Sequence, residues 1–454
     1  MLENSEPSPI ISASGIRGVV NENFLPSFVQ RMGRRFGSYV GGGSVALATD
    51  TRTSSGIFVS SVISGLLQSG CTVFDLGYSS TPSVFKEVLA RGLDGGIMVT
   101  SSHNPPEWNG LKFVVKGGRG IYEEELSTIL SLEVKPSTQF GRVFKKRALY
   151  YDSLLARAGK DTAKNVKVAL DLAGGVGCFF IPTILRYQGC VIHSIHDSPG
   201  LFPRIIDPTS DPLSLLSRIV VARKCNVGFA YDCDADRLVI VDDRGRKLSG
   251  DATLLICLRY FLENTRNRSV AVSTDTSMAA EDLVREFNGK LFYAKVGETN
   301  VLKKILENGC GAGGEGSSGG YIEPSFAKCR DGVYASTIIA KMLRNEEGSL
   351  SDILSDIPTY FQARTRLEIQ RDIAQKIVKQ LSETEGQVEL IDGVKIKKSE
   401  RSWVLLRPSN TEHVLRISAE AKTQEHANRL VKEYSEKALE FARSEEMDSK
   451  LESS

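Results

Sequence analysis

The sequence has no two cysteines spaced for metal or redox chemistry. Its eight cysteines stand singly, with no C-x-x-C pair. That argues against a structural zinc site and reads as reduced, buried thiols in a cytoplasmic protein. Long hydrophobic runs are lacking too. Stretches such as Leu238-Val239-Ile240-Val241 are strand-length and far too short to span a bilayer. The first residues, Met1-Leu2-Glu3-Asn4-Ser5-Glu6, have no basic stretch followed by an apolar one, so no secretory leader is expected. Net charge is small: 57 Lys+Arg against 55 Asp+Glu leave +2 at neutral pH. The two signs are mixed along the chain, so no field favours nucleic acid or a membrane. An anionic small molecule would need a local positive pocket.

A chain of 454 residues exceeds one hydrophobic core and predicts roughly three domains. A weak internal repeat supports this. Val45-Ala46-Leu47-Ala48-Thr49 ends at Asp50 and is followed by a helical pattern with Val59, Val62, Ile63, Leu66 and Leu67 on one face, stopping at Gly70. Val168-Ala169-Leu170 ends at Asp171, with the next segment closing at Gly189. Val270-Ala271-Val272-Ser273-Thr274 ends at Asp275, and its helix carries Ala279, Leu283, Val284 and Phe287 before Gly289. Buried strand, loop, amphipathic helix and strand make the βαβ pattern of a mostly parallel sheet. The last ninety or so residues differ. Val388, Leu390, Asp392-Gly393, Val394 and Ile396 predict a hairpin. Strands follow at 403–406 and 414–417, then a helix with Ala427, Leu430, Val431, Tyr434 and Ala438 inward. This is an α+β pattern, and the polar tail from about Ser444 is expected to fray.

Five segments could carry chemistry. Thr100-Ser101-Ser102-His103-Asn104-Pro105 follows the apolar strand Gly96-Ile97-Met98-Val99. A hydroxyl at a strand end beside an imidazole suits a nucleophile or phosphoryl carrier. Lys112 lies ten residues on. Asp232-Cys233-Asp234-Ala235-Asp236-Arg237 lies between apolar strands, and alternate carboxylates in an extended loop can face one hard cation. An EF-hand is excluded, because Arg237 stands where glycine is needed and Asp243 where glutamate is needed. Gly313-Gly314-Glu315-Gly316-Ser317-Ser318-Gly319-Gly320 is neither a Walker loop nor a dinucleotide fingerprint, but its glycines permit close approach and its polar side chains suit sugar hydroxyls. Arg407-Pro408-Ser409-Asn410-Thr411-Glu412, with Arg416 beyond, can cradle a phosphate dianion. Ser14-Gly15-Ile16-Arg17-Gly18 brackets an arginine that could reach an anion.

Together and in this order, these segments resemble the α-D-phosphohexomutase superfamily: phosphoglucomutases, phosphomannomutases and phosphoglucosamine mutases. The family loop T-x-S-H-N-P corresponds to Thr100 to Pro105, D-G-D-[AG]-D-R to Asp232 to Arg237, G-E-x-S-G-H to Gly314 to Gly320, and R-x-S-N-T-E-P to Arg407 to His413. The resemblance implies an α/β chain of three similar α/β/α domains (1–150, 151–250, 251–365) and a smaller C-terminal α+β domain (366–454), each giving one loop to a central cleft. It implies that Ser102 carries the phosphoryl group and, with Asp232, Asp234 and Asp236, binds Mg²⁺. Arg17, His103, Lys112 and Arg237 would surround the transferring group, with Lys112 and His103 candidates for proton transfer. Lys295, Gly297, Glu315 and Ser317 would contact the sugar, and Arg407, Ser409, Asn410, Thr411 and Arg416 the other phosphate. The reaction implied interconverts hexose 1-phosphate and hexose 6-phosphate through a hexose 1,6-bisphosphate that also serves as activator, in a monomer or homodimer.

Four departures stand out: Cys233 for glycine, an extra residue at Ser317-Ser318, Gly320 for histidine, and His413 for proline. The second leaves open which serine meets the sugar. Asn410 directs the substrate expectation towards glucose or mannose phosphate, with glucosamine phosphate the alternative. A non-catalytic phosphosugar-binding protein would need a damaged Ser102 or metal loop, and a metal-dependent phosphatase would need a second metal cluster.

Overall fold

The computed structural model describes residues 8–134, 137–345, 349–409 and 413–452. Four sheets follow one another along the chain, of eight, four, four and five strands. They form three α/β/α domains with mixed sheets and a smaller C-terminal α+β domain.

The three repeats share one wiring. Strand Ser44–Thr49 lies between parallel Thr72–Tyr78 and Gly95–Val99, and Gly95–Val99 then pairs antiparallel with Trp108–Val115. Lys167–Asp171 lies between parallel Val191–Ile195 and Val227–Tyr231, the latter antiparallel to Leu238–Asp242. Ser269–Ser273 lies between parallel Lys290–Ala294 and Ala312–Glu315, the latter antiparallel to Gly320–Ile322. Each central strand is covered on both faces, so its sequence is a continuous apolar run, as in the fully buried Val45-Ala46-Leu47-Ala48. The intervening helices obey local rules. Thr81–Arg91 carries Pro82 in its first turn and ends at Gly92, which holds φ +64°.

The fourth sheet is antiparallel, in the order Phe361–Glu368, Val414–Ala421, Ser402–Pro408, Val394–Ser399, Gln387–Glu389. The expected hairpin turns at Gly393, whose φ of +77° suits glycine. One face is covered by helices Arg371–Thr384 and Gln424–Glu452 through Ile377, Leu381, Leu430 and Tyr434. The final helix runs through the polar tail beyond Ser444 to Glu452.

One apolar core runs through the first three lobes, from Ala46 to Ile357. The fourth lobe has its own core. Among the described residues, its apolar contact with the third lobe is a small patch of Met278, Trp403 and Leu405, with Tyr360 against it. The rest of that seam is polar. Glu420, fully buried, accepts from Ser277 Oγ, from Met278 N at 2.9 Å and from Trp403 Nε1 at 2.8 Å. It thereby caps helix Ala279–Glu286 of the neighbouring lobe. Lys395 Nζ donates across it to Thr274 O at 2.7 Å.

Candidate active site

The shared wiring places three of the singled-out loops at one topological position, the hairpin joining the third and fourth strands of each repeat. The serine loop joins Gly95–Val99 to Trp108–Val115, the acidic loop joins Val227–Tyr231 to Leu238–Asp242, and the sugar loop joins Ala312–Glu315 to Gly320–Ile322. Each hairpin turns through a residue with positive φ: Ser102 at +51°, Ala235 at +57° and Gly319 at +65°. For serine that conformation is uncommon and must be held by its surroundings.

The holder is Arg52. Its buried guanidinium donates to Ser102 O at 2.8 Å, Asn104 O at 2.7 Å, Trp108 O at 3.0 Å and Pro105 O, and pairs with Asp50 at 3.0 Å. Asp50 also accepts from Thr100 Oγ1 at 2.6 Å, and that hydroxyl receives Ser102 N at 2.8 Å. The strand-end aspartate of the first repeat therefore anchors the serine loop. Its repeat counterpart Asp171 pairs with Arg204 at 2.9 Å.

Ser102 Oγ donates to Asp232 Oδ2 at 2.9 Å. The carboxylates of Asp232, Asp234 and Asp236 each offer an oxygen within 4.8 Å of the others, all fully buried. Lys112, on the strand after the serine loop, donates to Asp234 at 2.7 Å and Asp236 at 2.8 Å. Thr81 Oγ1 donates to Asp234. The second oxygens of Asp234 and Asp236 are buried without a hydrogen-bond partner among the described residues. Three hard oxygen donors converging with two lone oxygens fit a divalent cation. Cys233 does not disturb this, since its buried thiol turns away towards Thr51 Oγ1 at 3.7 Å.

Electrostatics divide the groups. Burial, with Asp234 and Asp236 adding repulsion, lifts the Asp232 carboxyl well above the usual range. Burial works against the Asp236 carboxylate too, but Arg330, Lys112 and Arg237 outweigh it and hold it well below that range. Burial also opposes the Lys112 charge, yet Asp234 and Asp236 keep it protonated beyond an ordinary lysine. His103 is pushed well below its usual value by burial and by Arg237, Arg17 and Arg330, so it is neutral. Its Nδ1 is buried without a partner among the described residues. Burial and Arg237 lower Arg17 to about 10.

These groups open on a cleft of about 810 Å³, lined by residues of all four lobes. At its first-lobe side the lining is Arg17, His103, Lys112, Arg237 and Arg330, while Ser102 and the three aspartates lie fully buried and outside the lining. At the third lobe, Glu315 accepts from Gly297 N at 2.7 Å and from Arg330 Nη1 at 3.1 Å. Ser318 is buried and donates to Glu315 O at 3.3 Å, whereas Ser317 is half-buried and makes no hydrogen bond among the described residues. Both border the cleft. Lys295 is exposed, and Val296, Gly297 and Glu298 line the cleft there instead. At the fourth lobe, Arg407, Ser409 and Arg416 border the cleft. Arg407 Nε lies 3.4 Å from Asp392, and Ser409 N donates to Val414 O at 2.8 Å. Asn410 and Thr411 lie outside the described residues.

Two central residues escaped sequence reasoning. Arg52 carried a faint signal, standing two places after the strand-end Asp50. Arg330 carried none. It bridges Asp236 at 3.0 Å, Glu298 at 3.0 Å and Glu315 at 3.1 Å, tying the acidic loop to the sugar loop. A side chain at Gly320 would collide with the Arg330 stem. The space a histidine would need is therefore filled here by that arginine.

Comparison with known proteins gives the same picture. The profiles "Phosphoglucomutase/phosphomannomutase, alpha/beta/alpha domain" I, II and III match residues 9–136, 148–245 and 249–361, and the C-terminal domain profile matches 365–437. The "Probable phosphoglucosamine mutase" of Methanopyrus kandleri is 35% identical over 435 residues, 93% of this chain and 96% of that protein. The "Phosphoglucomutase/phosphomannomutase" of Thermococcus kodakarensis is 31% identical over 433 residues, 91% of this chain and 94% of that one. A solved structure of a phosphoglucomutase/phosphomannomutase family protein from Burkholderia thailandensis superposes with a TM-score of 0.85 at 25% identity, covering 96% of this chain and 97% of that one.

Proposed function

The chain belongs to the phosphoglucomutase/phosphomannomutase family of α-D-phosphohexomutases, enzymes that move a phosphoryl group within one substrate, and from that premise we propose that Ser102 carries the group between the 6- and 1-positions of a hexose. The observation that carries this is the meeting of Ser102 Oγ with the aspartate triad beside a cleft whose far wall holds Arg407, Ser409 and Arg416. Asp232, Asp234 and Asp236 would hold Mg²⁺, and the ion would spread the charge that builds on the transferring phosphoryl oxygens. Lys112, Arg17, Arg237 and Arg330 supply fixed positive charge at the same end.

In the first half-reaction the Ser102 Oγ–P bond breaks and a bond from phosphorus to a sugar hydroxyl oxygen forms. The hydroxyl proton passes to the neutral His103 at Nδ1, and Lys112 keeps its charge against the phosphate. The serine oxygen takes up the proton that His103 received, leaving the imidazole neutral again and restoring the Ser102 hydrogen bond to Asp232. The hexose 1,6-bisphosphate turns end for end, and the second transfer reverses these steps. Arg407, Ser409 and Arg416, with Asn410 and Thr411, hold whichever phosphate is not reacting. Glu315 and Ser317 meet the sugar hydroxyls. Ser318 is the weaker candidate because its hydroxyl is engaged inside the loop. Added hexose 1,6-bisphosphate re-primes enzyme that has lost its phosphoryl group.

For the substrate, glucosamine phosphate leads, because relatives of 30% identity and more carry that name most often. This reverses the order drawn from Asn410. Glucose or mannose phosphate is the second reading, supported by the Thermococcus relative. Among the described residues no helix is long and apolar enough to cross a membrane. The test is a side-by-side assay of glucosamine 6-phosphate, glucose 1-phosphate and mannose 1-phosphate with Mg²⁺ and trace bisphosphate. Isomerised sugar phosphate is expected, fastest with glucosamine 6-phosphate. Intact mass should show a phosphoryl adduct that Ser102→Ala abolishes. Free phosphate as product, or an adduct persisting in that variant, overturns the proposal.

A further inference from the structure

The clamp named above draws on the hairpin between Ser402–Pro408 and Val414–Ala421, but the cleft wall extends one strand further. Phe361–Glu368 pairs with Val414–Ala421 so that Arg366 stands opposite Arg416, and Arg416 stands opposite Arg407. Three arginines thus form a straight row across three adjacent strands, on one sheet face. Arg364 is on the same face, opposite Ser418, which in turn stands opposite Leu405. All of these border the cleft. The opposite face, with Leu367, Leu415 and Leu406, packs on the helices.

The outer two arginines differ from the inner ones. Arg407 is paired with Asp392. Arg364 and Arg366 are exposed and pair with no carboxylate among the described residues. Arg364 donates to the neutral Gln362 Oε1 at 2.6 Å. The Arg366 side chain makes no hydrogen bond or ion pair among the described residues. Like charges placed directly opposite one another across strands destabilise a sheet. Arg364 and Arg366, exposed on the cleft with no carboxylate against them among the described residues, suit an anion that comes and goes.

Strands lie about 4.8 Å apart, so the third strand widens the positive wall by about 5 Å beyond the two-strand grip of Arg407 and Arg416. A monophosphate held at a fixed distance from Ser102 has no use for that width. A bisphosphate that must leave both ends of the site, rotate and be recaptured does have one. We propose that Arg364 and Arg366 form a retention wall for the hexose 1,6-bisphosphate, holding it in the cleft by charge while it reorients. They are positioning residues that touch neither the transferring phosphoryl group nor the settled distal phosphate. This rests on the phosphomutase reading of the cleft.

The test uses full-length enzyme phosphorylated at Ser102 with radiolabelled phosphate, mixed with unlabelled hexose monophosphate and Mg²⁺. Free bisphosphate released is counted against product monophosphate formed. Arg364→Gln/Arg366→Gln should raise escape per turnover about tenfold and raise the added bisphosphate needed for full rate. The decay of the serine adduct in the first transfer should stay within twofold of wild type. Arg366→Lys should recover most of the retention, since charge rather than a forked geometry is at work. Raising salt should increase escape in wild type more than in the double variant. An unchanged escape ratio in a double variant with wild-type melting overturns the retention wall alone. A wild type that isomerises no hexose phosphate overturns the functional reading and this proposal with it. A double variant that melts early is replaced by the single Arg366→Gln, which is exposed and unpaired, and the same escape ratio decides.

Discussion

Replacing Glu420 with alanine should detach the fourth lobe, whereas glutamine at the same place should not. The carboxylate serves three donors at once: Ser277 Oγ, Met278 N and Trp403 Nε1. Alanine leaves all three without an acceptor inside a closed seam. Each orphaned buried donor costs about 1–3 kcal/mol, so the sum is roughly 3–6 kcal/mol after some water entry. At about 1.4 kcal/mol per factor of ten, the lobe would dock roughly a hundred to ten thousand times less firmly. Glutamine keeps one oxygen for Met278 N and Trp403 Nε1, and its amide can donate to Ser277 Oγ, which turns to accept. Glutamine also removes a buried charge, because burial raises the Glu420 carboxyl above its usual value against the pull of its three donors. A cost below about 1 kcal/mol is expected. The assay is built in, since the chain has two tryptophans. In a Trp108→Phe background, Trp403 reports the seam. Glu420→Ala should shift its emission to the red, add a separate early transition in urea and raise KM, because Arg407 and Ser409 ride on the same sheet. A single wild-type-like transition in the alanine variant, or equal losses in alanine and glutamine variants, would refute the account.

Arg52→Ala should lower kcat at least a hundredfold, because four loop carbonyls and Asp50 lose their donor and Ser102 is no longer held; steady-state kinetics within fivefold of wild type would count against it. Asp232→Asn should abolish the rise in melting temperature on adding Mg²⁺ while making the metal-free protein more stable, since it removes one of three mutually repelling buried carboxylates; thermal shift with and without the ion reads both. Burial, opposed by the hydrogen bond from Ser277, raises the Asp251 carboxyl from 3.8 to about 7. Its neutral form is the one the fold prefers, so the stability it contributes is present below the ordinary carboxylate range and is lost as pH rises through about 7. Asp251→Asn should therefore flatten the stability profile between about pH 4 and 7, by an amount on the order of 3 kcal/mol, measured by urea denaturation at several pH values.

Much of this architecture was legible in the sequence. A strand buried on both faces must be an apolar run, and each repeat advertised itself by such a run ending in aspartate: Asp50, Asp171 and Asp275. The loops were legible because their chemistry demands rare residue types close together, as in Asp232, Asp234 and Asp236. Strand Phe361–Glu368 was not, since Gln362, Arg364, Arg366 and Glu368 alternate with small or apolar residues and resemble a solvated linker until a cleft is seen beside them. Arg52 was hard to see because its partners are mostly backbone carbonyls, which leave no trace in side-chain identity. Arg330 was invisible because Asp236, Glu298 and Glu315 come from three distant stretches. The choice between Ser317 and Ser318 turns on which hydroxyl the loop consumes internally, a matter of turn geometry that residue types do not encode.

The recurrence of one hairpin in three lobes has a bearing on how such a catalyst can change. The serine, acidic and sugar loops are plugged into identical sockets on a scaffold used three times over. Lengthening one socket's insert, as the extra residue beside Ser317 does, alters what that insert touches, and Arg330 is the link through which the change reaches the acidic loop. On the proposed reading, in which Glu315 and Ser317 meet the sugar, exchange of residues 315 to 320 with Arg330 kept should shift the preference for one hexose over another. Swapping that short insert between relatives is the direct test of whether it selects the sugar.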